Sequence, residues 1–379
     1  MSMGLLPSFF VVQVAMAPLP VIFFQALREI EVETSVGQAS IFRLHFDLSR
    51  NIFGDFDALA IDIFRPLVPI TIRVSLGLGI PQALINGYIK DVQLSASNQP
   101  GASRLEVVGM DALATIMAHI QQPFTWPNLP DSAVAAAIFG KYAMVPSIFP
   151  TPPLRTILDT TSNQRDFDAS YLFQMASRNN YELYIQPDPV IGLDVGHFHP
   201  PLTHMPPQGV LSVDFGTQTN LSNFSVSNNM LGPTSIMGMS VDPRTRAPIP
   251  SVAPVSTEPP MGLEPALNRI IPPPITRPAA TDAASPAEAQ AQAFARASES
   301  SRAITANGEV DGIKFARPLL AGLPVLVRGA GRQNSGLYYV QSVTHRISRD
   351  NYTQSFSAWR NAVGLTGAEV FIDPLAAVA

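Results

Sequence analysis

The stretch that decides the fold runs from Gln164 to Tyr184 and reads QRDFDASYLFQMASRNNYELY. Asp166 or Asp168 can cap the start of a helix, because a short carboxylate accepts hydrogen bonds from the free N–H groups of the first turn. The helical pattern continues to about Arg178. Asn180 then tolerates the left-handed conformation that commonly ends a helix. The stretch therefore predicts a helix followed at once by a strand.

The apolar residues of this helix lie on one face. Tyr171, Leu172 and Met175 recur at helical spacing, and residues 181–186 follow as a strand. We expect these three side chains, together with Tyr181, to be packing residues between the helix and the strand. An earlier helix pattern over 133–139 completes an α+β insert domain, predicted over 116–205.

Strand patterns precede this insert. Residues 30–34 alternate apolar side chains with glutamates, residues 41–48 alternate in the same way, and residues 70–76 make a third run. Short strands separated by turns rich in Gly and Pro predict a small barrel or sandwich. We expect a first β-barrel domain over 1–115.

Strand patterns also follow the insert. They occupy 206–242, stop, and resume over 306–362, and together they predict a second β-barrel domain. The similar strand number of the two β regions suggests an internal duplication. The predicted fold class is mainly β with an α+β insert. The apolar tail over 363–379 either docks a partner or folds back on its own barrel.

The interruption over 243–305 is rich in Pro and Ala. Twelve of the 36 prolines lie between Pro243 and Pro286, a composition typical of extended linkers. Ser285, Pro286 and Glu288 form a capping box that predicts a short helix over 286–303. We expect an extended arm that lies along a neighbouring subunit or another partner protein, with its helix docked through Phe294.

Composition excludes several classes of function. Only 14% of the 379 residues are charged and the net charge is −5, whereas nucleic-acid binders normally carry a basic surface. So few charges favour a protein whose surface is covered by other subunits. The absence of cysteine excludes disulfides, thiolate metal ligands and cysteine nucleophiles. We expect no nucleic-acid partner.

The N-terminal apolar run over 9–17 resembles a targeting segment. It has no basic residue before Arg28, and Pro7, Pro18 and Pro20 break it up. Signal peptides need a basic leader, and a membrane helix needs about 20 uninterrupted apolar residues. We therefore expect an opening strand, no signal peptide, and no membrane in the assembled state.

Candidate chemistry is sparse. His197, His199 and His204 could form a zinc site, because two histidines two residues apart on a strand point to one face. The segment is a Pro-rich strand edge, so the default expectation is polar edge histidines, no metal and no cofactor. Asp166 and Asp168 could form an acid pair, but their position favours a capping role.

Two stretches carry a family resemblance. Residues 164–184 resemble the helix–strand signature of contractile-tail hub proteins. Residues 336–345, GLYYVQSVTH, continuing through Tyr352, Phe356 and Arg360, look like the closing strands of the same family. The chain thus resembles the phage late control protein D family and the hub half of the type VI secretion spike protein.

A weaker match and three departures complete the resemblance. Residues 107–113, VVGMDAL, fall where the family has a strand, a glycine and an aspartate that opens a helix. Asn180 stands where the family has glycine, and Tyr171 where tryptophan is common. The segment over 243–305 is far longer than in the family.

The resemblance implies architecture rather than catalysis. Hubs of this family are homotrimers whose protomers each carry two tube-like β-barrels, so three protomers form a pseudo-sixfold ring. It implies a structural baseplate hub, not an enzyme, that adapts a sixfold inner tube to a threefold spike. The implied partners are an inner tube protein, baseplate wedge proteins and a separate spike protein. Tyr338 and Val340 of the closing strands are expected packing residues.

Two competing hypotheses stay open. One is a β-barrel metal-dependent enzyme that uses the three histidines, and the other is the hub of a contractile phage tail rather than of an injection particle. The solution mass together with metal analysis discriminates the enzyme from the hub. In either particle we expect assembly in the cytoplasm, with release from the cell left open.

Overall fold

The computed structural model describes residues 9–76, 81–99, 101–151, 162–242, 245–269, 276–280 and 286–371. Within these residues the chain is mainly β, and its largest sheet joins thirteen strands. The longer helices pack against smaller sheets of the chain. No helix in the described ranges is both long enough and apolar enough to cross a membrane.

The first part of the chain forms a barrel-like sheet. Its strands lie in the order β3-β4-β7-β6-β5-β1-β2. Alternate residues of these strands enter one core, as the period-2 patterns predicted, so the sheet curls around that core. Its elements are β1 (Phe9–Val14), β2 (Ala17–Pro18), α1 (Val21–Ala26), β3 (Leu27–Ser35), β4 (Ile41–Leu48), β5 (Pro69–Ser75), β6 (Gln82–Ser95) and β7 (Ser103–Met110).

The insert follows as an α+β unit. Strand β12 pairs with β11 antiparallel and with β9 in parallel, and both helices pack their apolar residues into one core with this sheet. Its elements are β8 (Phe124–Trp126), α2 (Asp131–Lys141), β9 (Val145–Ile148), β10 (Ser162–Gln164), α3 (Asp168–Asn179), β11 (Glu182–Pro187) and β12 (Asp194–His199).

Helix α3 lies where the sequence predicts it, but its cap differs. The residue before it is Phe167, and no side chain caps the first turn. Asp168 is buried instead, where it accepts a hydrogen bond from the Tyr142 hydroxyl at 2.8 Å and forms an ion pair with Lys141. Asn180 ends the helix with a φ of 53°, the left-handed turn that the sequence predicted.

The rest of the chain contains a second barrel and a smaller unit. The elements are β13 (Val210–Ser212), β14 (Leu221–Asn228), β15 (Ser235–Val241), β16 (Pro248–Ala253), β17 (Glu264–Pro265), β18 (Thr276–Ala280), α4 (Pro286–Ser301), β19 (Ile304–Asp311), α5 (Gly312–Phe315), β20 (Pro324–Arg328), α6 (Gly331–Asn334), β21 (Gly336–Ser348), β22 (Tyr352–Arg360) and β23 (Ala362–Val363).

The second barrel repeats the strand order of the first. Its order, β14-β19-β22-β21-β20-β13, matches β3-β4-β7-β6-β5-β1 in both space and chain order. One orientation differs, because β13 lies parallel to β20 whereas β1 lies antiparallel to β5. Among the described pairings, one interruption, between Ile72 and Arg73, occurs in the first barrel alone. Two others recur at equivalent places in both barrels. They fall between Leu27 and Glu29 and between Leu221 and Asn223, and again between Ile89 and Asp91 and between Val340 and Ser342. Such agreement in register supports an internal duplication.

The segment predicted as an extended arm differs from that expectation. Strand β16 pairs with β15 of the same chain, and helix α4 packs Ala293, Ala297 and Phe294 against this sheet. The described part of 243–305 is therefore a small folded unit on its own chain. It sits between β14 and β19, and it takes β15 out of the predicted second barrel. The expected capping residue Ser285 lies outside the described residues.

The start of the C-terminal tail folds back on its own chain. Strand β23 pairs with β17, and the Arg328 guanidinium donates a hydrogen bond to the Phe371 carbonyl at 3.3 Å. Between the two alternatives for 363–379, the described portion thus lies on its own protomer. The expectation for 372–379 falls outside the described residues.

Leu172 tests the packing of the insert. Its side chain is fully buried in the core of the insert, so Leu172→Ala should lower the free energy of unfolding by about 2–5 kcal/mol. Urea denaturation, monitored by the hydrogen exchange of peptides that cover α3, measures this loss. Gln174→Ala is the matched control, because Gln174 is exposed on the same helix and should change stability by less than about 0.5 kcal/mol. Equal losses would contradict the packing.

Candidate functional site

The joint between the two barrels is one strand with a divided edge. Along one side of β21, Gly336–Tyr339 pair with β20 of the second barrel, whereas Ser342–Ser348 pair with β3 of the first. At the crossover the Val36 N–H donates to the Gln341 carbonyl at 2.9 Å. We call this arrangement the strand joint. It makes the two barrels a single continuous sheet.

The side chains of the strand joint are buried on one face. Val343 and His345 lie opposite Thr34 and Val32, and all four are buried. On the other face the Arg346 guanidinium lies 3.5 Å from the Glu31 carboxylate. Backbone pairing, apolar burial and one ion pair thus hold the barrels together.

The insert rests directly on this joint. The Gly37 N–H donates to the Leu183 carbonyl at 3.1 Å, and Tyr184 packs with Val36 and Ala321. Gly322 has a φ of +82°, and a Cβ there would lie 2.4 Å from the Tyr184 hydroxyl oxygen. Only glycine permits this close approach. Strand β11, at one edge of the insert sheet, therefore covers the crossover.

A buried polar network ties three units of the chain together. Glu182 of the insert accepts a hydrogen bond from the Tyr339 hydroxyl of β21. Nearby, Arg302 at the end of α4 forms an ion pair with Glu258 of the small unit. The Arg302 guanidinium also lies 4.6 Å from the centre of the Trp359 ring in β22. The insert, the small unit and the second barrel meet here.

Burial controls the protonation of Glu182. It raises the pKa of the Glu182 carboxyl from 4.5 to about 7, although the Tyr339 hydrogen bond acts in the opposite direction. Burial favours the neutral acid because an ionised carboxylate loses its hydration. Glu182 and Tyr339 both lie in the stretches that carry the family resemblance, but their sequence pattern predicted no role for them. The one sequence feature that points to a buried acid here is Glu182 itself, the single charged residue in the otherwise uncharged strand segment YELYI.

The three candidate histidines are not brought together. His197 and His199 share a face of β12, and the ring nitrogens His197 Nδ1 and His199 Nε2 are 3.1 Å apart. Tyr184 stacks on His197 at 4.3 Å between ring centres, and His199 Nδ1 lies 2.8 Å from the Pro200 carbonyl oxygen. His204 is in an exposed turn. No group of three or more potential metal ligands occurs in the described part of the chain.

The electrostatics of the histidine pair also reflect burial. Burial lowers the pKa of His197 to about 3, and the neighbouring His199 adds to this effect. The pKa of His199 is lowered by burial as well. Both rings are therefore neutral near pH 7 and act as aromatic packing groups beside Tyr184.

The expected packing residues lie in two cores. Tyr171, Leu172 and Met175 are buried in the core of the insert, and Tyr181 packs its ring 5.2 Å from Phe198. Tyr338 and Val340 are fully buried in the core of the second barrel. Tyr338 also donates its hydroxyl to the Asn334 carbonyl at 2.7 Å.

Arg360 is a buried cation at the end of β22, and the sequence pattern predicted no role for it. Its guanidinium donates to the carbonyls of Ser335 at 3.0 Å, Met261 at 3.1 Å and Gly364 at 2.9 Å. It also lies 5.1 Å from the centre of the Tyr338 ring. Arginine suits this position because its planar fork serves several carbonyls at once. Arg360 anchors the small unit and the chain after β22 to the second barrel.

Comparisons with known proteins show the fold. No family model and no curated protein sequence matches the chain. Among solved structures, a tail protein from Neisseria meningitidis MC58 is 12% identical with a TM-score of 0.65, over 94% of this chain and 97% of that one. The prophage MuSo2 43 kDa tail protein from Shewanella oneidensis is 12% identical with a TM-score of 0.67, over 94% and 99%.

A secretion-system component has the same fold. An E. coli component of the type VI secretion system, described as structurally similar to the T4 bacteriophage tail proteins gp27 and gp5, is 13% identical with a TM-score of 0.55. The match covers 92% of this chain and 76% of that one. The expected fold, mainly β and like that of tail proteins, is confirmed.

The raised pKa of Glu182 predicts how stability depends on pH. The folded state holds the Glu182 proton up to about pH 7, whereas the unfolded chain releases it near its ordinary pKa of about 4.5. The folded state thus binds more protons in this window, so stability contributed by Glu182 is complete below it and is lost as pH rises. The expected loss is at most about 1.4 kcal/mol per pH unit.

Glu182→Gln isolates this contribution. The amide oxygen can still accept from Tyr339, but it does not titrate. Urea denaturation at several pH values between 4.5 and 7.5 should therefore give a flatter stability profile for the variant. Identical profiles for the variant and the unchanged protein would contradict a proton on Glu182.

Proposed function

We propose that this chain is the structural hub of a contractile injection particle. Three copies would form a ring of six barrels that adapts a sixfold inner tube to a threefold spike. Solved proteins that share its fold include tail proteins and a type VI secretion component. The role proposed is structural, with no catalytic step and no cofactor.

The observation that carries the proposal is the duplicated barrel. Both barrels have the same strand order and share two interruptions of register. One polypeptide therefore presents two similar surfaces to its neighbours. A tube of sixfold symmetry offers six equivalent edges, and three such chains can meet all of them while keeping threefold symmetry for the spike. Head-to-tail contacts that close on themselves generate such rings.

The proposed partners follow from this geometry. One face of the ring would stack on the inner tube protein, and the other would hold a separate spike protein. Baseplate wedge proteins would contact the outside. The charged fraction of 14% supports a chain that is covered on several sides, because charged residues are depleted from the cores of interfaces.

There are two alternatives to the proposed role as the hub of an injection particle. The hub of a contractile phage tail has the same ring and differs only in the particle that contains it. The metal-dependent enzyme receives no support from the histidines, because His204 lies in an exposed turn apart from the His197 and His199 pair.

The solution mass tests the ring. The purified full chain should have three times the chain mass of 40.8 kDa in light scattering, and end-on images of single particles should show six lobes. Metal analysis of the same sample distinguishes the enzyme hypothesis, which requires one metal ion per chain. A monomer at all concentrations, or a ring with another number of lobes, would overturn the proposed hub.

A further inference from the structure

Each barrel has a strand with a divided edge, and within the described residues only the edge of β21 is paired along both of its halves. Strand β6 of the first barrel is equivalent to β21, because Tyr88 pairs with Pro69 as Tyr339 pairs with Pro324. The backbone bonds beyond this pair also recur. The Leu67 N–H donates to Ile89 at 2.9 Å, and the Gly322 N–H donates to Val340 at 2.9 Å.

The equivalence ends where the strand joint begins. Beyond the crossover, β21 continues along β3. In β6 the matching residues, Asp91 to Ser95, pair with β7 on one side and with no strand of the described chain on the other. Every side chain from Lys90 to Ser95 is exposed. The first barrel therefore has the free half of a joint.

The second barrel has the other free half. Strand β14 is equivalent to β3, but within the described residues it pairs only with β19. The sequence of β14, LSNFSVSN, contains neither a charged residue nor a proline. Exposed edge strands are normally protected by such residues, because an open edge invites pairing with another chain. This edge has no such protection.

The apolar side chains at the two free edges are more exposed than their counterparts in the strand joint. Val92 and Leu94 are 40% and 48% exposed. Their counterparts in the strand joint, Val343 and His345, are buried. Phe224 and Val226 of β14 are half-buried, whereas their counterparts in β3, Ile30 and Val32, are fully buried.

We propose that β6 of one copy pairs antiparallel with β14 of a second copy and repeats the strand joint between subunits. The register carried over from β21 and β3 places Val92 opposite Asn228, Leu94 opposite Val226, and Gln93 opposite Ser227. This inference rests on the proposed ring and names the contact that closes it. The partner is a second copy of this chain.

The polar face of the proposed contact is compatible with pairing. Gln93 would face Ser227, and Ser95 would face Ser225, so no like charges meet at these positions. The internal joint has the ion pair of Arg346 and Glu31 at the position equivalent to Ser95 and Ser225. The contact between copies would therefore depend on backbone bonds and apolar burial, and it should be insensitive to salt.

Engineered cysteines test the register, since the natural chain has none. Directly opposite residues on neighbouring antiparallel strands lie within disulfide range. The double variant Gln93→Cys, Ser227→Cys should form covalent dimers and trimers on mild oxidation, seen on non-reducing gels. A mixture of the two single variants should give covalent dimers alone. The control pair Gln93→Cys, Ser225→Cys is two residues out of register and should crosslink several-fold less.

A charge at the free edge tests the contact without crosslinking. Leu94→Lys should lower the mass from three chains to one, because a buried lysine would oppose pairing, while the circular dichroism spectrum stays unchanged. Val190→Lys is the control, because Val190 is an exposed apolar residue far from either edge in sequence, and it should leave the mass unchanged.

The outcomes distinguish failure of the proposed contact from failure of the proposed ring. If the unchanged chain is a trimer but Leu94→Lys is also a trimer and the in-register cysteines do not crosslink, the ring stands and this contact is wrong. If the unchanged chain is a monomer and the cysteine pair does not crosslink even at high protein concentration, both the ring and the contact fail. Crosslinking by the in-register pair above its control supports the contact.

Discussion

The structure depends on a single constraint, namely that each residue of a strand edge can bond to one neighbour only. Strand β21 meets this constraint by dividing its edge between β20 and β3. The bulge at Gln341, where register shifts between Val340 and Ser342, bends the strand at the point of division. Bulges increase the local twist and redirect a strand, so the second half of β21 can leave its own barrel and join the first. The orientation of the two barrels follows from this division.

The buried polar groups around the joint add specificity rather than simple stability. Burying an acid and an ion pair costs free energy that packing alone would not require. The cost is limited here because Glu182 is kept neutral at lower pH, while Arg302 has both Glu258 and the Trp359 ring as partners. Since these residues come from the insert, the small unit and the second barrel, the network is satisfied only when all three units are docked in one arrangement.

The sequence predicted what periodicity can reveal. Alternation placed the strands of both barrels, and helical spacing placed α3 with Leu172 and Met175 in its core.

Over 243–305 the prediction from composition was wrong, because the high proline content suggested an extended arm where the described residues form a folded unit. Pro248 and Pro250 lie at alternate positions of an edge strand whose outward backbone groups do not bond to β15. Val252, in the same phase, bonds outward to Gln290 of α4 at 3.2 Å. Proline is tolerated at such positions since no ladder bond is lost. The polar network was not predictable either, because it joins residues far apart in the chain.

The two barrels have kept backbone register while exchanging side chains, which shows what the duplication has to conserve. In the first barrel the Phe42 ring lies over Gly109 on the paired strand, and a Cβ at Gly109 would lie 2.2 Å from that ring. In the second barrel the positions equivalent to Phe42 and Gly109 hold Ala306 and Ala358, and a ring covers a glycine two residues away, where Phe356 of the other strand lies over Gly308. The volume between the strands is filled in both cases, so either strand can supply the aromatic ring. A turn joins β3 to β4, and the insert contacts this turn through the hydrogen bond from the Gly37 N–H to the Leu183 carbonyl. Between β14 and β19 the small unit stands in place of that turn. Side chains and outer loops can therefore diverge, whereas the bulges and strand edges that set the joint cannot.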